Sequence, residues 1–225
     1  HVGNVMIKPE GIMAAVNSFR IDIQGQQAHG SAPWDGVDPI ITSAQMINNM
    51  QTIVSRNAKL TVAPAVVTIG AIHGGVRSNI IPEDLYMLGT IRTLDNDMKN
   101  LVHERLKKVV LNTAKANNAK ATLTIDDGYP ITYNDQGLYN QMFPTFKRIA
   151  GSDNVKIINA ITGAEDFSFF QEKVPGLYFF IGGVKEDTKL EDSGGHHTPD
   201  FFVDDSGMLL GMRMMSTLAL DYLHY

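Results

Sequence analysis

Four places in this sequence carry side chains that could do chemistry. His29 stands alone in Gly25–Pro39, GQQAHGSAPWDGVDP, beside Gly30, Ser31, Ala32 and Pro33, which are small or stiff. Imidazole can trade protons and hydrogen bonds near neutral pH, and loops held by a scaffold are where such groups often work. A histidine in an ordinary polar turn is the plain alternative. His196-His197 precede Thr198-Pro199 after a glycine-rich loop. Neutral imidazoles ligate zinc, manganese or nickel, although a solvated pair would read the same. Glu165-Asp166 lie in Gly-Ala-Glu-Asp-Phe at an expected helix start, where the dipole favours carboxylates whether or not they do anything else. His1, beside Val2-Gly3, could share an ion with the distant His197, since ligands need only meet in space. Two histidines do not complete a catalytic zinc site, which takes three protein ligands and a water. There is no Ser-His-Asp signature, P-loop or dinucleotide fingerprint, and Gly74-Gly75 is too weak a pair to read as phosphate-binding.

The elements that must position these residues follow from periodicity. Phe19–Ile23 alternates, so Ser18–Gln24 reads as a half-buried strand leading into the His29 loop. Asp38-Pro39 then opens a helix to about Arg56, as N-cap and first-turn proline, with Ile40, Ala44, Ile47, Met50 and Val54 at helical spacing. Ala63–Ile72 and Leu85–Thr93 read as strands, and His73–Asn79 as a glycine-bearing loop between them. Asp95 or Asp97 caps a helix to about Asn117, with Met98, Leu101, Leu106, Val109 and Thr113 on one face. Ala121–Asp126 alternates again. The order β-α-β-β-α-β over about 16–128 is the split βαβ, ferredoxin-like pattern.

Past Pro130 the sequence predicts a helix at Asp135–Ile149, a strand at Val155–Ile158, a helix opening within Thr162–Phe170 and an apolar strand at Gly176–Gly182. Asp204-Asp205 caps a last helix whose Met208, Leu209, Met212, Met215 and Leu218 read as core packing. Strand–helix alternation here suggests part of an α/β layer. It is too small to close a doubly wound sheet alone, so further strands are expected from sequence before His1.

Composition narrows the class. The 225 residues are 44% hydrophobic and 19% charged, as in ordinary globular proteins, and carry a net charge of −5. No long basic run is present, which disfavours nucleic acid as a partner. The absence of cysteine excludes disulfides and thiolate metal sites within the chain. No apolar run approaches the roughly 18–20 residues that span a membrane. The start HVGNVMIKPEG has neither an initiator Met nor a signal-peptide pattern, so a fragment is expected.

Taken together, the chain resembles the metal-dependent amidohydrolases that include aminoacylases, hippurate hydrolases and auxin-conjugate hydrolases, related to carboxypeptidase G-type exopeptidases. The likeness runs over essentially all of the chain. It is carried by His1-Val2, QAHGSAP-W-x-GVDP (Gln27–Pro39), MQTIVSR (Met50–Arg56), PAVVTIGAIHGG (Pro64–Gly75), SNIIPE (Ser78–Glu83), GTIRT (Gly89–Thr93), TGAEDFSFF and HTPDFF (His197–Phe202). The resemblance implies the C-terminal part of a zinc-peptidase-like α/β catalytic domain with an inserted βαββαβ lid that forms a homodimer contact. The corresponding division is 1–14 catalytic segment, 15–128 lid and 129–225 catalytic remainder. It implies metal ligation by His1 and His197, in a site holding two divalent ions (zinc, manganese or nickel). It also implies a catalytic role for His29, polarising the scissile carbonyl in the neighbouring subunit's site, and substrate contact by Asn79. Glu165 and Asp166 match a motif beside the metal centre, and Glu165 is taken as substrate-binding.

The expected reaction is hydrolysis of the amide bond of N-acyl amino acids or related conjugates by metal-activated water. A dipeptidase or carboxypeptidase of the same family, or a non-catalytic dimerisation module, are the alternatives. The family's general base and remaining ligands precede its Leu-His-Val motif, so the fragment is expected to be inactive alone, and His196 could exchange roles with His197. Cytoplasmic location is favoured, with periplasmic or secreted location if a signal peptide precedes His1.

Overall fold

In the computed structural model, which describes residues 1–224, the strands in chain order are β1 (Val5–Ile7), β2 (Glu10–Met13), β3 (Ala15–Gln24), β4 (Ala28–His29), β5 (Ala65–Gly74), β6 (Ile80–Ile81), β7 (Asp84–Thr93), β8 (Lys120–Asp127), β9 (Thr132–Asn134), β10 (Val155–Ile157) and β11 (Phe180–Ile181). The helices are α1 (Pro39–Thr52), α2 (Asn96–Ala116), α3 (Gln136–Ala150), the single turn α4 (Ser168–Gln171) and α5 (Met208–Leu223). They fall into two units. One comprises 1–12, 132–161 and 167–225, the other 13–131 with 162–166. The segment Thr162–Asp166 groups with the central unit.

In the central unit the alternation of β3 buries Phe19, Ile21 and Ile23 on one sheet face and turns Arg20 and Asp22 outward. The antiparallel sheet has the order β5-β7-β3-β8, and α1 and α2 supply the side chains that cover its apolar face. This is the expected βαββαβ ferredoxin-like arrangement. Asp38 caps α1 by accepting from the Ile40 and Ile41 amides, with Pro39 inside the first turn. Asp95, not Asp97, caps α2, accepting from Met98 N. The buried stripe of α1 is Pro39, Thr42, Ser43, Met46 and Met50; of the predicted face, Met50 is buried and Ile47 packs against the core, while Ala44 is exposed. Ile40 and Ile41 stay exposed. On α2 the buried stripe is Met98, Val102, Leu106, Val110, Thr113 and Ala114. Gly89 is required: a Cβ there would sit 2.1 Å from Phe19 Cζ and 2.4 Å from Thr68 O.

The other unit holds a three-stranded sheet, β10-β1-β11, in which β1 pairs parallel with β10 and antiparallel with β11. Val5 and Ile7 pack with Tyr139, Met142 and Phe146 of α3 and Met214 of α5. Two expectations fail here. Gly176–Gly182 is not one strand, because only Phe180–Ile181 joins the ladder. The Tyr178 backbone is instead bonded on both sides by buried Asn134, whose Nδ2 donates to Tyr178 O (2.8 Å) and Lys8 O (2.7 Å) and whose Oδ1 accepts from Tyr178 N. Likewise α5 faces the core at Leu218 of the predicted stripe but not along the rest of it. Met208, Leu209, Met212 and Met215 are exposed, and Met214 alone is fully buried. A helix apolar on nearly all faces is built to be covered on several sides, and this unit covers one. Among the described residues no helix is long and apolar enough to cross a membrane.

Candidate functional site

The first group of predicted residues lies in the unit holding both chain ends. His1–Asn4 forms a turn, with Asn4 N–H and Asn4 Nδ2 both donating to His1 O (3.2 Å each). The turn is stapled to 182–184 by Val2 N to Val184 O (2.7 Å) and Gly182 N to Asn4 O (2.9 Å). At Gly182 a Cβ would fall 1.7 Å from the His1 carbonyl oxygen, so this approach tolerates glycine alone. His1 Nδ1 lies 2.9 Å from Lys185 O. A carbonyl only accepts, so Nδ1 carries the proton and Nε2 keeps its lone pair. That is the tautomer an imidazole needs to ligate a metal through Nε2, held by the outer contact such ligands commonly have.

His197 sits in the loop 194–201 with φ of 64°, a left-handed conformation uncommon outside glycine. Thr198 closes the turn beneath it, its Oγ1 (2.7 Å) and N–H (3.3 Å) both donating to Gly195 O. The His196 ring lies against Phe201 instead, at 4.7 Å between centroids. Nearby, Asp204 is bonded by the Ser206 side chain and amide, which hold its carboxyl below the usual range, and its own N–H donates to Gly183 O (2.8 Å). Among the described residues no three His, Asp or Glu side chains converge as a metal cage. The donor chemistry of His1 Nε2 fits a divalent ion.

The second group lies in the central unit. His29 and Asn79 come together through the short pair β4–β6, with His29 opposite Ile80. Gly30 N–H donates to Asn79 O at 2.8 Å, and a Cβ on Gly30 would meet Asn79 at 3.0 Å. The His29 side chain is exposed, and its Nδ1 is engaged by Ser31. Glu165 is half-buried in 162–166, a non-helical segment held by Ala14 N to Gly163 O (2.9 Å). The helix start expected at Glu165-Asp166 is therefore absent, since α4 begins only at Ser168. Dipole capping does not account for these carboxylates. Sequence reasoning assigned no contact to Gly182, Lys185, Gly30 or Ser31. The glycines sit beside a candidate histidine or at a strand end, a signal visible in sequence, whereas the Lys185 carbonyl leaves none.

Residues 15–118 match the peptidase dimerisation domain. Over 94% of its length the chain is 34% identical to thermostable carboxypeptidase 2 of Saccharolobus solfataricus, covering 52% of that protein. It is 33% identical over 92% of its length to N-acetyl-L-cysteine deacetylase of Bacillus subtilis, covering 48% of it. The chain is similar to amidohydrolases and peptidases of the M20 family. Among solved M20 structures, the Bacillus subtilis YXEP protein, described as a dinuclear metal-binding peptidase, superposes with a TM-score of 0.75 at 26% identity, over 99% of this chain and 54% of that one. The chain thus spans about half the length of the M20 relatives it matches.

Proposed function

We propose that the complete protein is a metal-dependent amidohydrolase that cleaves the amide bond of N-acyl amino acids or related conjugates, and that this chain is an inactive portion of it. The observation that carries the reading is the His1 contact with Lys185 O, which leaves Nε2 as a free lone pair. His1 and His197 serve as two ligands of a site completed by residues outside the chain. The left-handed backbone at His197 supports this assignment over His196, whose ring packs on Phe201. Divalent ions held there would polarise the substrate amide and lower the pKa of a bound water.

His29 acts in the site of a second copy, donating a hydrogen bond to the carbonyl oxygen as negative charge develops on it. Asn79, fixed to the same β4–β6 unit, contacts substrate, as does Glu165. Homodimer formation through the central unit is supported by its match to a dimerisation domain and by exposed Ile40, Ile41 and Ile72 on α1 and the edge strand β5. The 34% identity to a carboxypeptidase favours a second reading, in which the scissile bond is a C-terminal peptide bond.

Assays of the complete protein on N-acyl amino acids and on dipeptides separate the two. Under the proposal His29→Ala lowers kcat about 10²–10³-fold with KM little changed. Full activity in that variant would remove His29 from the mechanism.

A further inference from the structure

The His29 imidazole has a fixed polarity, and Ser31 sets it. Ser31 N–H points at His29 Nδ1 at 3.1 Å, and Ser31 Oγ lies 2.7 Å from the same nitrogen. An amide N–H can only donate, so Nδ1 must be the acceptor, and the hydroxyl then donates to it as well. In the neutral ring the remaining nitrogen, Nε2, must carry the proton. The backbone holds this arrangement in place from three sides. Ala32 N–H donates to His29 O (2.8 Å), Gly30 N–H donates to Asn79 O (2.8 Å), and His29 is paired with Ile80.

We infer that Ser31 is a positioning residue which locks His29 as the Nε2–H tautomer, so that its exposed side chain presents a hydrogen-bond donor rather than an acceptor. This rests on the proposed role of His29 as a donor to the substrate carbonyl oxygen. A histidine free to exchange tautomers would present a lone pair there part of the time, and a lone pair repels a developing oxyanion. Two donors on one ring nitrogen remove that fraction before substrate arrives, so no reorganisation is needed at the moment of reaction. The Pro33 that follows keeps the loop stiff, and Gly30 admits the close approach to Asn79.

The test is ¹⁵N NMR of the histidine-labelled chain at about pH 8, above the ordinary imidazole range. The His29 signals are assigned by their loss in His29→Gln. The wild-type ring is expected as Nε2–H, with an unprotonated Nδ1. Ser31→Ala raises the Nδ1–H fraction about three- to tenfold, as loss of one neutral hydrogen bond would, and Ser31→Thr, which keeps the hydroxyl, restores it. In the complete enzyme Ser31→Ala then lowers kcat by a similar factor with KM little changed. A wild-type Nδ1–H tautomer, or a Ser31→Ala spectrum like wild type, overturns the lock. A lock that stands while His29→Ala retains full activity overturns the catalytic reading instead.

Discussion

His1 shows how little of a candidate ligand's setting resides in its own side chain. Its ring is oriented by the Lys185 carbonyl, and its backbone lies so close to Gly182 that no Cβ fits between them. Gly182→Ala is expected to destabilise the chain by about 1–3 kcal/mol, the usual cost of forcing extra volume into a packed site. It would also lower metal retention in the complete protein. An unchanged denaturation midpoint would contradict the close approach. The histidines themselves were visible in the sequence because imidazole is rare and chemically distinctive. Their supports were not, since a main-chain carbonyl has no residue type and a glycine declares its reason only once its neighbour is known. The reading of Glu165-Asp166 as a helix start failed on the same ground: the segment takes its backbone partner from Ala14, far away in sequence.

At the level of elements, local rules worked wherever a cap or an alternation was decisive. Asp38-Pro39 and Asp95 start their helices as side-chain capping requires, and β3 alternates as its sequence does. They failed where a long-range partner took over. Gly176–Gly182 has strand composition, yet the side chain of Asn134 occupies the Tyr178 backbone groups that a neighbouring strand would otherwise satisfy. Asn134 is fully buried and joins 8, 134 and 178, so Asn134→Ala is expected to cost about 2–4 kcal/mol by leaving buried backbone groups without partners. Urea unfolding measures this, and a loss below about 0.5 kcal/mol would show that water replaces the side chain. On α1 the predicted face holds at Ile47 and Met50 but not at Ile40 and Ala44, because Thr42 and Ser43 satisfy their hydroxyls on Asp38 O and Ile40 O and can be buried, which a hydrophobicity pattern does not anticipate.

For the molecule as a whole, the order of motifs revealed more than any periodicity, since it pointed to an inserted βαββαβ unit between two stretches of another domain. What could not be read was the exposure of α5, because a helix apolar all round looks like core until its neighbours are counted. Stability should also respond to pH through His103. Burial, opposed by nearby Asp127 and aided by Lys99, lowers the His103 pKa below its ordinary value. The unfolded chain therefore binds more protons in that window, and the contribution is present above about pH 6.5 and lost as pH falls below it. Thermal unfolding between pH 5 and 7.5 should show this decline, and His103→Gln should flatten it. A variant as acid-sensitive as wild type would place the decline elsewhere. The most direct test of the central claim is elemental analysis of the complete protein and of this 225-residue chain after identical dialysis. The account predicts close to two divalent ions per complete subunit, as dinuclear chemistry requires, and almost none in the chain alone. No metal in the complete protein while its dimer stays intact would contradict it and favour a binding module.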